Sequence, residues 1–490
     1  MKTRIIAITL ALIMVILCLP QFTLFASAAD ASGVCGQKTA WAFDRSTGTL
    51  VIAGSGEMKN MDDIDSAPWN SFKEEILNLI VQPGVTRIGD FAFSGCNHLS
   101  SVSFPDSLQS FGAYAFSQTG LKTIAIPKGV TQISIGLFTE CHGLQEVILH
   151  DQVDYIGISA FSGCINLKNI ELPKIVDTVC DGAFKDCASL ERISLPSLTG
   201  IPDFCFEGCS SLSDITLCPD LKTIGTFSFR GCTSLKKITL PASTEWIRDH
   251  AFVNTGLMSI TIPYGMKLIS ENAIGFGTGA AAPENFTIYG FAGTVGESYA
   301  SKNNIRFVPI DGTIDAFFDV PDQAFYREAV GWAVENDVTK GIRPDAFAPN
   351  DVCTRAQVVT FLWRAMGSPA PTVQSCPFTD VKESSYYRDA VLWALENEIT
   401  TGTSPDAFSP EKGCTRAQVV TFLWRAKGKP DPEAEGSAFT DVSEGKFYTD
   451  AVAWAVKNNI TKGMTDTTFA PDSTCTRGQI VTFLYRAVEQ

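Results

Sequence analysis

Ile156-Gly157-Ile158-Ser159-Ala160-Phe161-Ser162-Gly163-Cys164-Ile165-Asn166-Leu167-Lys168-Asn169-Ile170-Glu171-Leu172-Pro173 is one copy of a phrase that recurs along the N-terminal part of the chain. Its phenylalanine returns as Phe93, Phe116, Phe138, Phe161, Phe184, Phe206, Phe229 and Phe252, in steps of 22 or 23 residues. A fixed period in that range predicts a solenoid. The L-x-x-I-x-L part alternates like a short half-buried strand, and the proline after it stops the ladder. One unit has too little apolar surface to fold alone. Stacking about nine of them at ~4.8 Å per rung gives a continuous core roughly 40 Å long, so the repeated Phe, Leu and Ile are core residues.

Three residues after each Phe stand Cys96, Thr119, Cys141, Cys164, Cys187, Cys209, Cys232 and Thr255. A small, weakly polar side chain at the same place in every rung predicts a structural ladder in which thiol or hydroxyl meets neighbouring turn backbone. The two Thr rungs are also one residue shorter, since Leu121 and Leu257 follow their Phe by five residues where Leu99 and Leu167 follow by six. One Cys per rung lacks the paired C-x-x-C spacing of zinc sites, so no metal is expected. Disulfides between rungs stay open at this stage.

The phrase resembles the BspA-like leucine-rich repeat family over roughly residues 35–310. Cys35 through Trp69, with Gly48-Thr49-Leu50-Val51-Ile52-Ala53-Gly54-Ser55-Gly56 and Ala67-Pro68-Trp69, is similar to that family's N-terminal cap. Phe286-Thr287-Ile288-Tyr289-Gly290-Phe291-Ala292-Gly293-Thr294, Tyr299-Ala300 and Ile305-Arg306-Phe307 are similar to its C-terminal cap. The resemblance implies a surface protein with a binding or adhesive role and names no ligand.

From residue 317 the period changes to 61 without drift: Asp319, Asp380 and Asp441; Trp332, Trp393 and Trp454; Arg355, Arg416 and Arg477. Each copy reads helix, loop, helix. Ala329-Val330-Gly331-Trp332-Ala333-Val334-Glu335-Asn336 has helical apolar spacing and closes near Gly341, matched by Gly402 and Gly463. Thr354-Arg355-Ala356-Gln357 then precedes an apolar run, and T-x-x-Q in that position is a capping box, repeated at Thr415 with Gln418 and Thr476 with Gln479. Each Arg therefore falls in the first turn of its helix, where cations are disfavoured. A helix N-terminus with unpaired N–H groups and an added guanidinium fork is suited to an anion such as a carboxylate. The structural reading of the same Arg is a pair with a nearby Asp that locks the copies together. The three Trp read equally as core or as faces for sugar rings.

These copies resemble S-layer homology domains through Phe318-Asp319-Val320, Phe378-Thr379-Asp380-Val381 and Phe439-Thr440-Asp441-Val442 and through the T-R-A-Q, T-R-A-Q and T-R-G-Q boxes. The resemblance implies a three-copy bundle whose grooves bind a secondary cell-wall polysaccharide, typically one bearing an anionic pyruvate ketal. Carried over residue by residue, it points to Arg355, Arg416, Arg477, Trp332, Trp393, Trp454, Gly341, Gly402, Gly463, Asp319, Asp380 and Asp441. The second copy has Thr401-Gly402 where the others have Lys340-Gly341 and Lys462-Gly463, so its contribution should be the weakest. Cys353, Cys414 and Cys475, directly before each box, read as buried small residues.

The expected organisation is a signal peptide at 1–28, a cap at 29–78, leucine-rich repeats at 79–275, a second cap at 276–310, and S-layer homology repeats at 317–366, 378–427 and 439–490. Met1-Lys2-Thr3-Arg4, the apolar run Ile5 to Leu19 and Ala26-Ser27-Ala28-Ala29 carry the n-region, h-region and cleavage pattern of export, with cleavage near Ala28 or Ala29. No later segment approaches ~18 uninterrupted apolar residues, so no transmembrane segment is expected after cleavage. The fold class expected is a leucine-rich-repeat solenoid followed by a mainly α-helical, pseudo-threefold bundle.

The formal charge of −15, from 38 basic and 53 acidic side chains, carries no polyanion-binding footprint, and nucleic acid is not an expected partner. The four His residues, His98, His142, His150 and His250, form no H-E-x-x-H or triad-like signature, and no phosphate-binding glycine loop appears in strand-to-helix context. The expectation is therefore not an enzyme, and no cofactor. The chain reads as an exported protein held on the bacterial cell wall or S-layer by its C-terminal repeats. Its solenoid is displayed to an unnamed protein or glycan. The alternative is a structural S-layer or wall component without an external ligand.

Overall fold

The computed structural model describes residues 29–195, 197–275, 286–432 and 439–489. The signal segment and residues 276–285 of the expected second cap lie outside the described residues. The chain divides between Pro309 and Ile310 into two compact units.

The first unit is a β-solenoid. Strands of two to four residues pair in parallel from turn to turn, as in 123–125 with 146–148 and 155–156 with 178–179. The in-register steps of 22 or 23 residues put identical positions of the phrase on top of one another. Val147 faces Ile124 and Ile170, and Ile156 faces Ile133 and Val179. The repeated Phe side chains are buried and stack face to face from Phe93 to Phe252, with ring centroids 5.3–6.1 Å apart. Two residues before each Phe the backbone turns a left-handed corner, at φ 55° for Tyr114, 52° for Ser159, 59° for Phe204 and 54° for Phe227.

The first unit is closed at its N-terminal end by the antiparallel strands Ala31–Val34, Thr39–Asp44 and Thr49–Gly54. Trp69 continues the Phe column there: it stacks on Phe93 at 5.2 Å and donates from Nε1 to the Ala92 carbonyl at 2.9 Å. At the other end, strands Thr287–Gly290 and Arg306–Pro309 flank helix α1, Val295–Lys302. Tyr299 of α1 ties that end down by accepting from the Ile274 N–H and donating to its carbonyl, both at 3.0 Å.

The fourteen cysteines among the described residues are all free thiols. Cys141, Cys164, Cys187, Cys209 and Cys232 each donate to the carbonyl of the Phe one turn back, at 3.0–3.2 Å. Burial pushes the Cys141 thiol up to about 11, which keeps its proton, and so the donor, in place at neutral pH. In the shorter rungs Thr119 and Thr255 instead donate to their own Phe carbonyls, at 3.0 and 3.1 Å. A hydroxyl serves this position, so Cys164→Thr is expected to change solenoid stability by no more than ~1 kcal/mol, whereas Cys164→Ala leaves the Phe138 carbonyl with only the Cys141 N–H at 3.1 Å and costs ~0.5–1.5 kcal/mol for the lost bond, beyond the small loss of volume. Urea unfolding of the two variants side by side checks this.

The second unit contains helices α2 (Arg327–Glu335), α3 (Arg355–Ala365), α4 (Arg388–Glu396), α5 (Arg416–Ala426), α6 (Thr449–Lys457) and α7 (Arg477–Val488). The second helix of each copy packs on the first helix of the next: α3 on α4, α5 on α6, and α7 back on α2. The three copies thus close into a ring. At its centre the Cys353 N–H donates to the Cys475 carbonyl, Cys414 to Cys353 and Cys475 to Cys414, at 2.9–3.0 Å. Their thiols are buried, and among the described residues no group of His, Cys, Asp or Glu is arranged to hold a metal.

Candidate functional site

Each of the three junctions of the ring is built from a capping-box helix and the loop of the next copy. Thr354, Thr415 and Thr476 accept from the N–H of Gln357, Gln418 and Gln479, whose side chains return the bond to the threonine N–H. The next two helix N–H groups are not open to a ligand, which corrects the sequence expectation. Arg355 N donates to the Lys412 carbonyl at 2.9 Å and Ala356 N to Pro410 at 3.0 Å. The same pairs recur as Arg416 to Ser473 and Ala417 to Pro471, and as Arg477 to Asp351 and Gly478 to Pro349. The neighbouring loop satisfies these donors because buried N–H groups must find a partner. Period analysis of one copy does not see it.

The guanidinium groups follow the same rule. Arg355, Arg416 and Arg477 are only 2–3% exposed. Nε donates to the carbonyl of Phe408, Phe469 or Phe347 in the next copy at 2.9, 2.7 and 2.8 Å. The guanidinium carbon lies 4.8–4.9 Å from the centroid of that same Phe ring, with Phe422, Phe483 or Phe361 on the other side at 5.3–5.5 Å. Arg416 Nη2 reaches Thr461 Oγ1 at 3.3 Å and Arg477 Nη2 reaches Thr339 Oγ1 at 3.5 Å, while Arg355 Nη2 is buried without a partner. Among the described residues no carboxylate comes within ion-pair distance of any of the three. The Arg lock the copies together, but through carbonyls and aromatic faces rather than an Asp. Burial lowers the pKa of all three, as it does for any cation taken from water without a counter-charge.

Asp319, Asp380 and Asp441 clamp the loops that receive the Arg. Asp380 accepts from Phe408 N at 2.9 Å and Ser409 N at 2.7 Å; Asp319 takes Phe347 and Ala348, and Asp441 takes Phe469 and Ala470, in the same way. Gly341, Gly402 and Gly463 sit at φ 80°, 81° and 87° at the start of the loops. Trp332, Trp393 and Trp454 are buried in the core of the bundle, and Trp332 donates to Glu489 at 2.7 Å. Of the two readings left open for these indoles, their placement is the core one.

Sequence reasoning passed over one exposed ring per copy: Phe325, Tyr386 and Phe447, 67%, 63% and 58% exposed. Each stands edge-on against the following tyrosine, and Tyr326 packs where a Cβ on Gly478 would lie 3.0 Å from it. The aromatic doublets Phe325-Tyr326, Tyr386-Tyr387 and Phe447-Tyr448, spaced by 61, were the available signal.

A capped repeat solenoid in the first unit and a closed ring of three helix-loop-helix copies in the second define a modular repeat protein. The sequence matches the BspA type Leucine rich repeat region over residues 66–191 and 155–276, and the S-layer homology domain over 317–359, 377–420 and 438–481. The first unit thus carries BspA-type leucine-rich repeats and the second three S-layer homology domains, which places the protein at the bacterial cell surface and cell wall. It is 32% identical over 134 residues to a "Cell surface protein" of Thermoanaerobacter kivui, covering 26% of this chain and 17% of that one. It is 34% identical over 169 residues to a "Surface-layer 125 kDa protein" of Lysinibacillus sphaericus, covering 34% and 14%. The chain therefore spans less than a fifth of these relatives' own lengths. A solved leucine-rich repeat protein from Eubacterium ventriosum aligns over 52% of this chain and 97% of its own at 19% identity, with a TM-score of 0.27. No helix among the described residues is long and apolar enough to cross a membrane.

Proposed function

We propose that the second unit holds the protein on the cell wall by binding an anionic, pyruvylated secondary polysaccharide at the junctions of its ring, and that the solenoid is displayed for protein or glycan binding in adhesion. The observation that carries the anchoring reading is the set of three buried guanidinium groups without a carboxylate partner. An uncompensated buried cation is costly, and an anionic ligand supplies the missing charge. Arg355, with Nη2 unpartnered, has the largest unmet demand. In this reading the Arg touch the ligand, while the Asp, Gly and Trp residues hold the loops and helices that position them. Both matched families are non-catalytic.

The test is co-sedimentation of the full chain with native sacculi, beside sacculi stripped of secondary polymer. Binding to native sacculi alone is expected, reduced at least tenfold in an Arg355→Lys, Arg416→Lys, Arg477→Lys variant, which keeps the charge but loses the planar fork. Polymer released from the sacculi should also raise the melting temperature of the wild-type second unit by mass action. Equal binding to stripped sacculi would sink the reading.

A further inference from the structure

Along one face of the solenoid the strand ladder is interrupted twice among the described residues, between strands 110–111 and 132–133 and again before strand 200–201, and the second break falls at a proline. Along one face, Gly157, Cys180, Gly225 and Arg248 each donate their N–H to the carbonyl of the Ile one turn back, at 2.8–2.9 Å. The equivalent residue in the turn between Cys180 and Gly225 is Pro202, which has no N–H to give. The ladder breaks there: strands 132–133, 155–156 and 178–179 form one sheet, and 200–201, 223–224, 246–247 and 268–269 form another. In the same turn Gly200 stands where neighbouring turns have Thr178 and Thr223. A Cβ on Gly200 would meet nothing closer than Thr223 at 3.8 Å, and its φ is not left-handed, so neither space nor backbone demands glycine. Many other glycines of the solenoid are tight; at Gly157 and Gly225 a Cβ would come within 2.6–2.8 Å of backbone.

The missing side chain and the broken ladder open a cleft of about 470 Å³, lined by Asp181, Gly200, Pro202, Asp203, Thr226 and Arg248 among others. Asp181 and Asp203 each spend Oδ1 on an N–H of the following turn, at 3.2 and 2.6 Å. Their second oxygens have no partner among the described residues. Arg248 is exposed and, among the described residues, makes no side-chain hydrogen bond or ion pair. One residue beyond Asp203 and Thr226 of the lining, Phe204 and Phe227 stack at 5.4 Å, and Phe227 stacks on His250 at 5.0 Å. Phe204 is the first ring of this column, since the preceding turn has Gly182 in its place. Among the described residues no second ring stacks on it besides Phe227, and the Lys185 ammonium lies 5.7 Å from its centroid. The three residues of the column hold left-handed backbone that favours glycine, at a cost of ~1–2 kcal/mol each.

We infer that this cleft is a saccharide site that takes a neutral pyranose unit of a glycan. Free carboxylate oxygens, a threonine and an arginine fork give acceptors and donors for ring hydroxyls, and the exposed Phe204 ring, one residue beyond Asp203, gives an apolar surface for the C–H side of a neighbouring sugar unit. Two carboxylates against one arginine disfavour acidic sugars, so the ligand differs in charge from the polymer proposed for the ring. The inference names a ligand for the solenoid and does not depend on how the second unit holds the wall.

The test is calorimetric titration of the full chain with cellohexaose, mannohexaose and N-acetylchitohexaose. At least one should bind, and Gly200→Thr, which restores the side chain of neighbouring turns, should weaken it at least tenfold with the melting temperature unchanged and sedimentation with sacculi intact. If Gly200→Thr lowers the melting temperature, Phe204→Ala decides in its place, with the same tenfold loss expected. No binding of any of the three, or binding that survives the deciding variant, overturns the inference.

Discussion

Phe161→Ala should lower the stability of the solenoid by ~3–5 kcal/mol, the range for removing a fully buried aromatic ring from a close-packed core. Phe161 is completely buried and stacked on both sides, 5.7 Å from Phe138 and 5.5 Å from Phe184. Each turn of a solenoid touches only its neighbours, so stability is a sum of turn and interface contributions. A hole at Phe161 removes two interfaces of the aromatic column at once and uncouples the turns on either side. Hydrogen exchange should show protection falling on both flanks of the substitution, from about 133 to 184, with little change near Trp69. A uniform loss along the whole unit would mean that it unfolds as one cooperative block.

The second large effect is expected at Gly402. Alanine there keeps φ near 81° only at a left-handed penalty, and its Cβ would lie 2.5 Å from Phe378 Cε1 and 2.6 Å from the Ala407 carbonyl. Backbone strain and overpacking together should cost ~2–5 kcal/mol. The displaced loop is the one whose Phe408 carbonyl receives Arg355. Thermal unfolding should therefore lose stability in the second unit while the solenoid transition stays in place. Gly367→Ala is the control, because its added Cβ would meet nothing within 4 Å although its φ of 84° is also left-handed. The difference between the two variants isolates the steric part. Similar losses in both would show that strain alone sets the effect.

Much of this was legible in the sequence because repetition exposes packing. The 22- or 23-residue Phe period identified a solenoid core, and the rung position of the cysteines marked out side chains that answer turn carbonyls. The T-x-x-Q boxes fixed the helix starts at Thr354, Thr415 and Thr476. What stayed hidden was what one copy does to the next. Arg355 reads as a fork at an open helix end until the loop carrying Phe408, 53 residues on, is seated over it. Asp380 reads as a motif acid, and only the fold reveals that it fixes that loop. Trp332 has the same helical spacing whether it faces a sugar or a core. Pro202 and Gly200 were visible as letters, but the cleft they make depends on the turns before and after them.

The closure of the ring has a consequence for the order in which the protein can be made. Arg477 meets the Phe347 carbonyl across 130 residues, and α7 supplies the packing surface for α2. The first copy is therefore left without its partner surface until the last has been threaded out of the cell. Contacts of such long range are slow to form, because the intervening chain must be gathered first. A secreted chain with this layout can complete its solenoid turn by turn as it emerges, while the ring closes only after its third copy has followed.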